Sequence, residues 1–187
     1  MSSSSSSSES SSSSSTGSSS SSSTGSSSSS GSDSAGVIKA EIYSFLNDVY
    51  SSLGGSDWNV NTNWGDQYVS YCDWYGVDCD DSSTRRVSLL SLADNNLSGT
   101  FPASIPNVFS SLRVLILDDN NITGEFPASI SNLKDLEYLS ITNNQITGTV
   151  PQEVCDLRDI NGGFLQTLDV DCVEYSGSVS CDCCLFC

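Results

Sequence analysis

An eleven-residue phrase recurs in this chain: NNLSGTFPASI from Asn95, NNITGEFPASI from Asn120, and a looser NNQITGTVPQEV from Asn143. Longer segments align around it: VSLLSLADNNLSGTFPASI from Val87, LRVLILDDNNITGEFPASI from Leu112, and LEYLSITNNQITGTVPQEV from Leu136. Each follows L-x-x-L-x-L-x-x-N-x-L/I-x-G-x-Ψ-P, where Ψ is apolar. A degenerate fourth copy, LQTLDVDCV, begins at Leu165. A unit this short cannot bury its own apolar face. Consecutive units must therefore stack as a solenoid, and about three is the smallest stable number.

The pattern assigns a role to each position. The L-x-L alternation has period 2 and reads as a strand with one buried face. The buried pairs are Leu90/Leu92, Leu115/Leu117, Leu139/Ile141 and Leu168/Val170. Asn95, Asn120 and Asn144 fall where the chain bends out of the strand. An amide there can satisfy the backbone groups that the bend leaves unpaired, so the three should stack as a ladder. Gly99, Gly124 and Gly148 permit a tight backbone, and Pro102, Pro127 and Pro151 stiffen the return. Ile105, Ile130 and Val154 then bring apolar side chains back, as a helical turn on the convex side needs.

Upstream, Ile38, Ile42, Phe45, Leu46, Val49 and Leu53 lie on one helical face, and Gly54-Gly55 ends the helix. Before that, 26 of residues 1–34 are Ser. Such a segment has no apolar surface to offset its conformational entropy and is expected to be disordered or extended on its own. Beyond residue 35, six basic residues face 21 acidic ones, a net charge of −15. That field repels phosphate backbones and anionic membranes, so nucleic acid is excluded as a partner. No stretch is apolar and long enough to insert into a membrane.

The eight cysteines form two clusters, and there is no His. Cys72 and Cys79 lie seven residues apart around Trp74 with no other Cys near them, so they are expected to pair. Cys155, Cys172, Cys181, Cys183, Cys184 and Cys187 are expected to pair among themselves, in an order the sequence leaves open. The tail CDCCLFC could instead hold a thiolate metal cluster; disulfides in an oxidising compartment are the simpler expectation. No apolar segment of an export signal follows Met1, and no anchor is visible. The expectation is that the chain is part of a longer protein or has an altered N-terminus.

The repeat pattern resembles the plant-type leucine-rich repeat, in three consecutive copies. CDWYGVDC, from Cys72 to Cys79, resembles the N-terminal cap of plant extracellular leucine-rich repeat proteins, and the preceding helix suits that cap. The Cys-rich end is similar, more weakly, to acidic leucine-rich repeat proteins of microalgae. The fold expected is α/β: a short right-handed leucine-rich repeat solenoid with a parallel sheet, a helical disulfide-bonded N-cap and a Cys-rich C-cap. Its divisions would be a Ser-rich stalk or linker (1–35), the N-terminal cap (36–86), three repeats (87–164), and the degenerate repeat with the C-cap (165–187). The resemblance implies an extracellular or cell-surface recognition or scaffold module and no reaction. The residues agree: without His the usual triads and two-His metal sites are missing, and no phosphate-cradling Gly loop exists, so the chain is expected not to be an enzyme.

Candidate sites follow from the strand rows, which align across coils about 4.8 Å apart. Leu89, Val114, Ile116 and Tyr138 form an adjacent, exposed apolar group expected to bind a ligand. Beside them run Asp94, Asp118, Asp119, Asp169 and Asp171. With oxygens from Ser91, Ser140 and Asn143, these acids would suit weak calcium binding, on the order of millimolar. The alternative is that they only keep the domain soluble, and no other cofactor is expected. Asn96 and Asn121 begin N-glycosylation sequons that overlap the repeat consensus. The leading function is an extracellular module that binds a peptide, protein or glycan through the concave sheet and loops. The alternative is a structural or adhesive surface component assembled by self-association or through glycans, with no discrete ligand.

Overall fold

The computed structural model describes residues 32–105, 107–158, 162–173 and 178–184. Most of the Ser-rich segment and Cys187 lie outside the described residues. Helix α1 (Ser32–Ser52) starts four residues before the expected cap boundary. Once an apolar face nucleates a helix, adding another turn costs little.

Two sheets run through the solenoid, parallel throughout except where Val77–Cys79 meets Val87–Ser91. The first is ordered β1-β2-β4-β6-β8: Val77–Cys79, Val87–Ser91, Val114–Ile116, Tyr138–Ser140 and Thr167–Asp169. Its register puts Leu89, Val114, Tyr138 and Thr167 in one row and Ser91, Ile116, Ser140 and Asp169 in the next. The pairs expected inside are all buried, from Leu90 and Leu92 to Leu168 and Val170. The second sheet, β3-β5-β7-β9, has no counterpart in the sequence reading: Ser98–Thr100, Asn121–Glu125, Gln145–Thr149 and Val179–Ser180. It occupies the S/T-G segment, whose glycines on their own suggest only a tight backbone. On the convex side the chain closes with turns at Asn107–Phe109 and Ala128–Asn132 and a short helix α2 (Gln152–Cys155). Ile105, Ile130 and Val154 are buried there.

The asparagine ladder ties the coils together. Asn120 is 7 % exposed. Its Oδ1 accepts from the amides of Asn95 (3.1 Å) and Leu97 (2.9 Å), and its Nδ2 donates to the carbonyls of Leu92, Leu117 and Asp118. Asn144 does the same one coil on, accepting from the Ile122 amide and donating to Leu117, Ile141 and Thr142. Asn95 joins the ladder to the N-cap through the Val60 amide and carbonyl. The Asn120 and Asn144 amides therefore span neighbouring coils as well as their own bends.

Both ends are closed. In the N-cap, α1 buries Ile42, Phe45, Leu46, Val49 and Leu53. An aromatic cluster of Tyr43, Tyr50, Trp58, Trp64, Tyr71 and Trp74 packs beside them at ring separations of 4.9–6.0 Å. Cys72 is bonded to Cys79, and β1, which contains Cys79, pairs antiparallel with β2. In the C-cap, Cys155 is bonded to Cys183 and Cys181 to Cys184; Cys172 is also disulfide-bonded. Arg158, 2 % exposed, donates to the Cys183 carbonyl from beneath this staple.

Asn120→Ala removes a partner from five backbone groups. The Leu117 carbonyl keeps Asn144 Nδ2 and the Asp118 carbonyl keeps the Asp94 amide. The loss therefore falls on the Asn95 and Leu97 amides and the Leu92 carbonyl, at about 1–3 kcal/mol for each one that water cannot reach. Asn121, one position on, is exposed, and its side chain makes only a 3.5 Å contact to Asn96. Asn120→Ala should therefore lower the melting temperature by about 10 °C or more, at about 2–4 °C per kcal/mol for a domain of this size. Asn121→Ala should change stability by no more than about 0.5 kcal/mol. Thermal unfolding of the two unglycosylated variants checks this, and equal shifts would contradict the ladder.

Candidate functional site

The concave face is built on the first sheet. Leu89, Val114, Ile116 and Tyr138 are adjacent in it, as the strand register requires. They are half-buried rather than exposed. Strands about 4.8 Å apart let neighbouring side chains cover each other's flanks. Val114 and Tyr138 form one cross-strand pair, with Ile116 next to Val114 on the same face. The patch is thus a fixed apolar floor.

The N-cap extends it. β1 brings Asp78 opposite Leu89. Beyond it lies an open cavity of about 430 Å³, lined by Tyr75, Gly76, Asp78, Leu89 and Ser91 among others. Gly76 is required there: its φ is +76°, and a Cβ would sit 2.1 Å from the Ser91 carbonyl oxygen. Tyr75 is 40 % exposed. Neither Tyr75 nor Asp78 was legible as a site residue, although the hairpin that places them follows the CDWYGVDC stretch.

The acidic strip lies along the bends between coils. Among the described residues, no group of three or more His, Cys, Asp or Glu is arranged to hold an ion. Backbone geometry places several of these acids. Asp94, Asp119 and Asn143 occupy equivalent positions with φ of 50°, 56° and 55°. Asp and Asn tolerate that left-handed conformation better than other residues with side chains. Asp94 and Asp119 are exposed, and Asp119 Oδ1 accepts from Asn143 Nδ2 at 2.8 Å. Asp118 Oδ1 accepts from Ser140 Oγ (2.6 Å), the Thr142 amide (2.8 Å) and Thr142 Oγ1. Asp171 accepts from the amides of Asn143 and Asn144 at 2.9 Å each. Ser140, assigned to a solvent-facing row, is 3 % exposed because it bonds Asp118.

Asp169 differs from the other four. Its Oδ1 is buried and has no hydrogen-bond partner. Burial and the Asp118 charge push its carboxyl pKa above the ordinary value, while Arg158 pulls it part of the way back. The sequons separate from this face: Asn96 and Asn121 are exposed on the second sheet's flank, and Asn96 Nδ2 donates to the Asp57 carbonyl at 2.8 Å.

The repeats match the leucine rich repeat family over residues 85–146 and again over 110–161. The chain is similar in structure to the leucine-rich repeat ectodomain of the receptor kinase SOBIR1 from Arabidopsis thaliana, at 26% identity and a TM-score of 0.53 over 74% of this chain and 66% of that one. It is also similar to the PEPR1-AtPEP1 structure, at 25% identity and a TM-score of 0.50 over 73% of this chain and 18% of that one. The chain thus spans just under two thirds of the first and less than a fifth of the second. The fold is a short leucine-rich repeat solenoid with an N-terminal helix and disulfides near both ends, similar to the SOBIR1 ectodomain.

A carboxyl whose pKa is raised in the folded state makes folding less favourable once pH exceeds its unfolded value. Asp169→Asn removes that charge. The variant should melt higher than wild type at neutral pH, and the gain should vanish well below pH 3.8, the ordinary value, where both folded and unfolded carboxyls are protonated. Melting curves of the pair across pH check this, and a gain independent of pH would contradict the cause given.

Proposed function

We propose that the domain is an extracellular recognition module that binds an extended peptide, or a protein segment, across the concave face. The observation that carries this reading is the fixed apolar floor of Leu89, Val114, Ile116 and Tyr138, continuous with the cavity beside Tyr75. A standard interface buries about 800 Å² on each partner. The sheet alone offers a few hundred Å², so the cap loop has to take part, and its cavity abuts Leu89. The disulfides at both ends support an oxidising compartment. Among the described residues, no helix is long and apolar enough to cross a membrane.

The partner would seat an apolar side chain on this floor and a cation near Asp118 and Asp169, where a positive charge relieves the crowding of carboxylates. The leucine-rich repeat domains it resembles include PEPR1, whose structure is a PEPR1-AtPEP1 pair, and this supports a peptide or protein partner over a reaction.

A displayed library of random heptapeptides selected against wild type, with counter-selection on Ile116→Glu, tests the proposal. Enrichment of peptides with Lys or Arg close to an apolar residue is expected, with loss of binding to Ile116→Glu. No enrichment, together with concentration-dependent self-association that Ile116→Glu abolishes in sedimentation velocity, would overturn it in favour of an adhesive component assembled through this same face.

A further inference from the structure

The domain is strongly acidic, yet among the described residues only one of its six basic side chains pairs with a carboxylate. Among the described residues, the only ion pair within 4.0 Å is Arg113–Glu137. Lys39 and Arg85 instead share a cavity of about 280 Å³ in the N-cap, and no Asp or Glu lines it. Its walls include Ile38, Tyr71, Ser83 and Thr84, and none of its lining residues lies on a strand. The nearby Asp80 turns its Oδ1 to its own loop, accepting from the Ser82 amide and hydroxyl and from the Arg86 amide.

Arg85 is held in place. Its φ is 46°, a left-handed conformation that is strained for a long side chain. Tyr71, itself 5 % exposed, holds it by donating its hydroxyl to the Arg85 carbonyl at 3.0 Å. Lys39 approaches from α1, with its Nζ 5.7 Å from the centre of the Tyr43 ring. Two cations from separate elements therefore converge on a half-enclosed space that the molecule's own acids leave empty.

We propose that this cavity binds an acidic sugar ring through its oxyanion, a carboxylate or a sulfate ester. Lys39 and Arg85 would take the oxyanion, and the Ser83 and Thr84 hydroxyls would serve the ring hydroxyls. Ile38 and the Tyr71 ring supply an apolar wall for its C–H face. The volume lies at the lower end of the about 300–1,000 Å³ typical of small-ligand cavities, which suits one ring and excludes a folded segment. The net charge of the domain favours a singly charged group over phosphate monoester, because each added negative charge meets the same repulsive field.

The test is an NMR titration of the full chain, at constant ionic strength, with sodium glucuronate, methyl galactoside 6-sulfate, glucose and sodium sulfate. Saturable shifts of the Ser83–Arg85 amides are expected with one or both acidic sugars, and the tighter of the two identifies the oxyanion. Affinity should fall at least tenfold in Arg85→Gln and in Lys39→Gln, whose exposed helical position leaves folding intact, and should hold in Lys134→Gln. Equal binding of glucose, inorganic sulfate binding as tightly as the sulfated sugar, an equal loss in Lys134→Gln, or no saturation with either acidic sugar would overturn the proposal.

Discussion

The buried asparagine amide is the interaction on which the solenoid depends. Each coil must leave its strand abruptly, which strands carbonyls and amides inside the stack. A side chain that both donates and accepts, at one fixed position per coil, can satisfy them. Asn120 does so for groups on two coils at once. Shifting it by a residue would move the amide out of the stack and leave those groups unpaired in a low-dielectric interior, where the loss is largest. The repeat length is therefore constrained by this bond, and the Leu pairs fill the space it defines.

The same bend explains residues that look functional in sequence. The position before the ladder Asn takes a left-handed backbone in all three coils, and two positions before that Asn a carboxylate can cap an amide of the next coil. Asp94 and Asp119 meet the first demand, Asp118 the second, and Asp171 closes the stack at the ladder's last rung. An aspartate column in such a fold is produced by turn chemistry before any ligand is considered. Spacing alone carried the apolar rows correctly because side-chain alternation in a strand is purely geometric. It could not separate a carboxylate that binds from one that caps, because both appear as Asp at the same interval.

The second sheet is not legible in the sequence for a related reason. In Asn121–Glu125 one side chain, Ile122, is buried, and the position two further on is a glycine with φ of 97°. Alternation that ends after one apolar residue looks like a turn. What makes it a strand is the neighbouring coil: Thr123 and Thr147 donate to the Gly99 and Gly124 carbonyls, and the ladders run between coils. A contact made only between repeats leaves no trace within one. The cap residues beside the concave floor were hidden similarly, since Asp78 reaches Leu89 through an antiparallel pairing outside the repeat rule.

The net charge of −15 beyond residue 35 is thus partly engaged within the fold already. Carboxylates already accepting two or three hydrogen bonds, such as Asp171 and Asp80, have less to offer a partner, and their charge is spread over neutral donors. Two local exceptions stand apart: Asp169, whose Oδ1 is buried without a hydrogen-bond partner, and Lys39 with Arg85, which line one cap cavity that no carboxylate lines. They carry opposite signs and lie on separate elements. In a molecule whose field is otherwise uniform, selectivity for a charged group must come from such local exceptions, because a uniform field attracts every cation alike and discriminates among none. The solenoid fixes the apolar floor, and these few exceptions decide what can sit on it or beside it.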